Sequence, residues 1–460
     1  MIFQRKLLGQ LIQWHSQKGR KPLILRGARQ VGKTSLVTHF GQNHFKNCII
    51  INFETDSSVR KIFETQDDVV EILKQIEVIK NTSIIPEETL LFLDEIQVCP
   101  AAIGKLRYFF EKLPRYPVIA AGSLLEFALD EETASFPVGR VQFLYLYPLN
   151  FQEYLLACGE KKLHEYLQGI HVIKPIPEAI HDKLKQQLKN YFLTGGMPEV
   201  VSTFLGTNSI QRCQEVMVSL LQTAQEDFRK YRTRFDPHHL EHVFRNVPKW
   251  IGKRVNLTKL GESELGPTQV MLGIRLLAQA MLVYRVNPVS SLQFPLCSKP
   301  KIHPKLIFLD VGLAQNLNRV SQEIISARQL SSVYEGGLAE QFVAQEILSL
   351  LGEKTKPEIF FWISENKKST AEVDFIYPCG GTILPVEVKS GGSGRLASLH
   401  RFCFLHRPPL AIRIYDGPLT REKISLSLST SQKVSYSLLS VPLYLTGQLS
   451  RILEEIFSSS

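Results

Sequence analysis

The segment Pro22-Leu23-Ile24-Leu25-Arg26-Gly27-Ala28-Arg29-Gln30-Val31-Gly32-Lys33-Thr34-Ser35 decides the fold. A short apolar run ends in glycine, Gly-Lys-Thr follows after four intervening residues, and a helical stretch comes next. This is the spelling G-x-x-x-x-G-K-[ST] in a strand–loop–helix context. Gly27 and Gly32 allow a tight turn with no Cβ between backbone and ligand. The N–H groups of Ala28, Arg29, Gln30, Val31 and the helix start, with Ser35 at its edge, form an anion cradle. Lys33 is expected to reach the β- and γ-phosphates of ATP, and the Thr34 hydroxyl to ligate Mg²⁺.

Downstream, Thr89-Leu90-Leu91-Phe92-Leu93-Asp94-Glu95 is an apolar strand that ends in two acids. A buried strand delivers such acids to the carboxyl edge of an open sheet, where ligands bind. Asp94 is the expected Mg²⁺ partner and Glu95 the general base, the alternative for Glu95 being a solvent-facing carboxylate. Pro117–Gly122 reads as a further buried strand with Ser123 at its tip. Ser123 either senses the γ-phosphate or caps a helix over Leu124–Glu126. Arg140 is a candidate charge stabiliser at the γ-phosphate, in cis or from a second subunit, or else a surface salt bridge. Strands alternating with helices up to residue 125 predict a parallel α/β sheet between helices. The elements expected are helices at 5–18, 58–64, 68–79 and 101–113 and a strand at 48–53.

Composition narrows the remaining classes. At 460 residues the chain has room for two to four domains, and its 44% hydrophobic content supports ordinary cores. The net charge of +10 permits a nucleic-acid partner without requiring one. The 7 cysteines form no C-x-x-C pair, which argues against a zinc or disulfide framework. No apolar run is long enough for a membrane span, and the start of the chain lacks a signal-peptide core, so a cytoplasmic location is expected. No guanine-reading N-K-x-D motif is present, which favours ATP.

Residues 151–244 read as helical, with a tight turn at Gly195-Gly196-Met197-Pro198-Glu199. A basic cluster follows: Arg229, Lys230, Arg232, Arg234, Arg245, Lys249, Lys253 and Arg254, interleaved with Tyr231, Phe235 and Trp250. It suits a nucleic-acid surface, DNA before RNA, yet the interspersed acids fit a solvated helix face somewhat better. Residues 245–300 are expected to form a winged-helix-like unit and a linker. Residues 301–460 carry Glu340 on a helix, Asp374 on a strand and Glu387-Val388-Lys389 on the next. This is the D…ExK order of PD-(D/E)xK nucleases, in which Glu340, Asp374 and Glu387 would hold a metal and Lys389 would position water. The competing reading is a polar strand face with a salt bridge.

Gly27–Thr34, Leu93–Gln97, Gly122–Glu126, Pro137–Val141, Gly195–Glu199, Phe308–Ala314, Ala371–Phe375 and Val386–Ser390 stand in order along the chain. Together they resemble the bacterial and archaeal AAA-type ATPases that carry a C-terminal domain of unknown function 4143. One departure is Ser35, where relatives usually have a second threonine. The resemblance implies an AAA-like ATPase domain over residues 1–150, a helical and winged-helix middle, and a nuclease-like end. It implies ATP and Mg²⁺ at Lys33, Thr34, Asp94 and Glu95. Two activities are compatible with it: an ATPase driving a nuclease on nucleic acid, or an ATP-dependent switch whose C-terminal domain docks a protein or nucleic acid. A homo-oligomer that supplies Arg140 in trans is a further expectation.

Overall fold

The five strands of the first sheet are short and almost wholly apolar, and the computed structural model places them all in parallel. It describes residues 2–123, 137–172, 174–231, 235–326, 337–365, 369–389, 395–429 and 432–458. The chain divides into two units: Met1–Pro148 with Gln279–Leu282 and Gly352–Lys356, and Leu149–Ala278 with Val283–Leu351 and Pro357–Ser460.

In the first unit the order is α1 (Leu7–Ser16), β1 (Leu23–Arg26), α2 (Lys33–His44), β2 (Asn47–Asn52), α3 (Ser57–Thr65), α4 (Val69–Lys80), β3 (Thr89–Asp94), α5 (Pro100–Lys112), β4 (Val118–Gly122) and β5 (Gln142–Tyr145). Every residue of β3 and β4 is buried, as expected of central strands covered on both faces. Phe53, Ile72, Leu91, Leu93, Ile103 and Phe109 belong to the core that α3, α4 and α5 build against one face. Local chemistry sets the helix starts: the Asp68 side chain accepts from Val70 N before α4, and Pro100 takes the first turn of α5. The 4-residue β5 escaped sequence reading.

The strand order is β2-β3-β4-β1-β5, the parallel sheet of a P-loop NTPase. β4 therefore lies between the phosphate-loop strand β1 and the acid-bearing strand β3. Arg26 stands beside Gly122 and Leu93 beside Ala120, so Gly27, Ser123 and Asp94 emerge at one edge of the sheet. The helix expected at 5–18 is shorter because Arg5 turns away from it, donating from Nη1 to Val31 O at 3.0 Å.

The second unit holds a mixed eight-stranded sheet: β6 (Val283–Pro288), β7 (Lys305–Phe308), β8 (Ile359–Ile363), β9 (Glu372–Cys379), β10 (Thr382–Val388), β11 (Ala411–Tyr415), β12 (Thr420–Ser429) and β13 (Gln432–Pro442), in the order β12-β13-β11-β10-β9-β8-β6-β7. The expected boundary at residue 300 falls within this sheet. The short helix Leu257–Gly261 and the helix Pro267–Gln279 are present, but the strand after them is no separate wing. β6 pairs antiparallel with β7 through Val283 and Phe308, and parallel with β8 through Val286 and Ile359. Hydrogen bonding of a central strand on both sides binds residues before and after 300 into one sheet.

The Gly195-Gly196 turn is tied to the segment after β7. Gly195 has φ +65°, and a Cβ there would lie 1.9 Å from Asp310 Oδ1. Gly196 N donates to Asp310 Oδ2 at 2.7 Å, while Asp310 Oδ1 caps the helix Val311–Asn318 by accepting from Leu313 N at 3.1 Å. Only glycine fits that conformation and that approach.

Candidate nucleotide site and acid cluster

The phosphate loop leaves β1 and enters α2 through Gly32, whose φ of +97° a residue with a Cβ adopts only under strain. Lys33, 6% exposed, folds its Nζ back to donate to Gly27 O and Ala28 O, each at 2.9 Å. Burial pushes the Lys33 ammonium down to about 8, against the pull of Glu95 and Asp94. The ammonium has exchanged water for two carbonyl dipoles, and an oxyanion at this position would stabilise it far more.

Thr34 Oγ1 donates to Asp94 Oδ2 at 2.8 Å, joining residues 60 positions apart. Asp94 is buried, which raises its carboxyl above the usual range, and its Oδ1 accepts from Glu95 N at 3.1 Å. A hydroxyl and a carboxylate held together in a buried setting are hard oxygen donors of the kind Mg²⁺ takes, so the donor set fits the metal. Glu95 has φ +51°, a left-handed conformation that is uncommon for a non-glycine residue and costly enough to need support from its surroundings.

Two residues sharpen this picture. Gln97, not singled out from sequence, donates from Nε2 to Glu95 Oε2 at 2.6 Å. Its Oε1 is buried without a hydrogen-bond partner and lies 2.3 Å from where a Gly122 Cβ would be. The only sequence signal was its place two residues after Glu95. Ser123 Oγ is likewise buried with no partner among the described residues, at the tip of β4, and the helix-capping alternative falls on residues 124–126, outside the described residues. Arg140 lies on the surface, 45% exposed, donating from Nε to Glu111 Oε1 at 2.9 Å. Arg29 pairs with Glu54 at 3.4 Å.

In the second unit the expected acids do assemble, but around a cation that the sequence did not announce. Lys305 on β7 is 1% exposed. Its Nζ lies 3.1 Å from Glu340 Oε2, 2.9 Å from Glu372 Oε1 and 3.0 Å from Asp374 Oδ1. Burial alone would lower this lysine, yet Asp374, Glu340 and Glu372 together raise it well above its ordinary value. Glu340 sits in the first turn of the helix Leu338–Leu351. Glu387 Oε1 accepts from Lys389 Nζ at 2.7 Å, and Glu387 Oε2 is buried with no partner among the described residues. Burial first, then the charge on Asp374, pushes Glu340 and Glu387 upward. Among the described residues no three His, Cys, Asp or Glu side chains group as metal ligands. Where a metal was expected at Glu340, Asp374 and Glu387, the Lys305 ammonium lies against two of the three acids.

Four members of the basic cluster are ion-paired. Arg229 pairs with Glu226, Arg245 with Glu241, Lys249 with Glu262 and Arg254 with Glu372, while Arg232 and Arg234 lie outside the described residues. All 7 cysteines are free. Among the described residues no helix is long and apolar enough to cross a membrane.

Residues 19–155 match the model of an AAA domain, residues 185–324 a domain of unknown function, DUF8612, and residues 335–428 the domain of unknown function DUF4143. No curated protein matches the chain. Among solved structures, the Walker-type ATPase of Pyrococcus abyssi is similar at 14% identity and a TM-score of 0.42, covering 69% of this chain and 96% of that one. The ORC2 protein of Aeropyrum pernix is similar at 13% identity and a TM-score of 0.33, covering 70% and 92%. The ORC1 protein of the same organism, solved in complex with DNA, reaches 12% identity and a TM-score of 0.28, covering 69% and 93%.

Proposed function

We propose that this chain, which carries an AAA domain and a C-terminal DUF4143 domain, hydrolyses ATP with Mg²⁺ and uses the nucleotide state as a switch. One observation carries the reading: the 2.8 Å bond from Thr34 in the phosphate loop to Asp94 at the end of β3, with Lys33 and Glu95 as immediate neighbours of the pair. It gathers a cation, two oxygen ligands and a base at one sheet edge. Lys33 would turn from the carbonyls of Gly27 and Ala28 to phosphate oxygens, exchanging dipoles for full charges. Glu95 would orient the attacking water and draw off its proton, and Gln97 would fix the carboxylate that does so. The Ser123 hydroxyl, buried and with no partner among the described residues, would donate to the γ-phosphate or its water. Thr34 and Asp94 would hold Mg²⁺, which when bound supplies charge neutralisation on the phosphate oxygens.

For the second unit, a nucleic-acid or protein partner is the reading we favour over free catalysis on a small molecule. An open groove of about 530 Å³ is lined by Arg254, Thr258, Lys301 and His303 among others. Its basic side chains suit an anionic backbone.

The test is turnover and binding measured side by side. Lys33→Ala is expected to abolish hydrolysis, and Glu95→Gln to keep ATP binding while blocking turnover. A purified chain that releases no heat on titration with ATP and Mg²⁺ defeats the proposal.

A further inference from the structure

We infer that Lys305 is the built-in cation of the Glu340–Glu372–Asp374 cluster, so that the second unit holds its nuclease-like acids with an ammonium instead of a divalent metal. This concerns the second unit alone and stands whether or not ATP is hydrolysed.

The argument is an oxygen-by-oxygen accounting. An ammonium has three protons, and Lys305 faces three carboxylate oxygens at 2.9–3.1 Å, one each from Glu340, Glu372 and Asp374. The remaining oxygen of Asp374 accepts from Val388 N at 2.9 Å, and that of Glu372 pairs with Arg254 Nε at 3.1 Å. One oxygen of Glu387 is held by Lys389. Both oxygens of the central aspartate are therefore taken, and a divalent ion would have to displace a lysine that is 1% exposed. Two cations cannot share that space. The Phe361 ring, 5.6 Å from Nζ, further shields the ammonium from water. Position along the fold explains how this comes about. β7 is the terminal strand of the sheet beyond β6, and the side chain of its first residue meets acids from β9 and from the helix Leu338–Leu351. An ordinary surface lysine could not do this, because three carboxylates brought together without an internal cation repel one another strongly at low dielectric.

The inference separates two designs that share the D…ExK order. In a metal-dependent nuclease the acids need their cation from solution. Here the cation is encoded, and the cluster becomes a structural joint linking β7, β9 and the helix Leu338–Leu351. Glu387 Oε2 is buried with no hydrogen-bond partner among the described residues.

The experiment uses the full chain carrying Asp94→Asn, which removes the phosphate-loop metal ligand, with Mn²⁺ as the probe. With Lys305 present, paramagnetic titration should detect no Mn²⁺ held by the second unit. Lys305→Gln should lower Tm by on the order of 10 °C, because three buried carboxylates lose their counter-charge. It should also gain one Mn²⁺ per chain, bound at least about tenfold more tightly than in the Lys305 form, with part of the lost Tm restored by the ion. Should Lys305→Gln fail to fold, Lys305→Gln combined with Asp374→Asn should fold and recover at least about half the lost Tm. Three results overturn the inference. One is a stoichiometric Mn²⁺ in the Lys305 form that disappears with Glu387→Ala. Another is a Lys305→Gln chain with unchanged Tm and no new Mn²⁺. The last is a double variant no more stable than the single.

Discussion

Two of the buried lysines, Lys33 and Lys305, are opposites. Lys33 has carbonyl oxygens for partners, and burial brings it down to about 8. Lys305 has three carboxylates, and they lift it well above its ordinary value against the same burial. The first is a cation kept in an unfavourable place, and an incoming polyanion relieves it. The second already has its anions, and nothing from outside improves on them. A buried ammonium thus marks a ligand site only when its counter-charge is not already supplied by the fold.

The sharpest way to break this comparison is to delete each lysine and read both activity and stability. Lys33→Ala should remove ATP turnover, a loss of at least about 10²–10³-fold, as for other preorganised groups aimed at developing charge. Its Tm should not fall, since a desolvated charge has been removed. Lys305→Gln should do the reverse, losing stability and leaving turnover within about twofold of the starting chain. If Lys33→Ala is also markedly less stable, Lys33 is a structural lysine and the contrast fails.

The next effect concerns the packing of the second unit. Gly195→Ala places a Cβ 1.9 Å from Asp310 Oδ1 and forces φ +65° on alanine. Urea titration should show a loss of about 2–4 kcal/mol. A loss below about 0.5 kcal/mol would mean that the Asp310 joint is looser than the one around Lys305.

These two regions were not equally legible. The phosphate loop is local: its chemistry needs contiguous residues, so its spelling survives in one stretch. Asp94 was readable because an acid ending an apolar strand is itself a local signal, even though its partner Thr34 is 60 positions away. Lys305 was invisible. Within Lys305-Leu306-Ile307-Phe308 it looks like the polar start of a strand, and only the order of strands in the sheet reveals its 69-residue reach to Asp374. The Gly195-Gly196 turn was recognised as a turn, but its partner Asp310, 114 residues on, was not. That Val283–Pro288 joins the large sheet was hidden for the same reason, since pairing across the sheet is not written in the strand. Gln97 lay in the right motif, yet its hold on Glu95 depends on a left-handed backbone at Glu95 that no propensity foretells.

A smaller effect probes a buried acid with no lysine at all. Glu346 is 1% exposed, and its Oε1 accepts from Phe151 N at 2.9 Å. Burial lifts its carboxyl from 4.5 to about 8. The folded chain therefore holds this proton more tightly than the unfolded chain. The contribution is complete below about pH 4.5 and is lost as pH rises towards 8. Glu346→Gln should flatten that decline, with the two stability–pH curves separating by about 1–2 kcal/mol between the ends of the window. Parallel curves would show that Glu346 finds a cation on ionising, as Asp374 does in Lys305.

The smallest effect returns to the first unit and to a charge that is neither buried nor unpaired. Arg140 is 45% exposed and donates to Glu111 Oε1 at 2.9 Å, with a second arginine, Arg107, on the same carboxylate oxygen at 3.0 Å. The two guanidinium groups hold the Glu111 carboxyl below its usual range. An exposed pair of this kind contributes little to stability, and Arg140 has a partner within its own domain. Arg140→Ala should therefore leave ATP turnover within about threefold at all protein concentrations. A loss of about a hundredfold or more, growing as the protein is concentrated, would show that a second copy draws this arginine away from Glu111 and brings it to the γ-phosphate. That result would add a third kind of cation to the comparison, one completed neither by its own fold nor by its ligand alone but by a neighbouring chain.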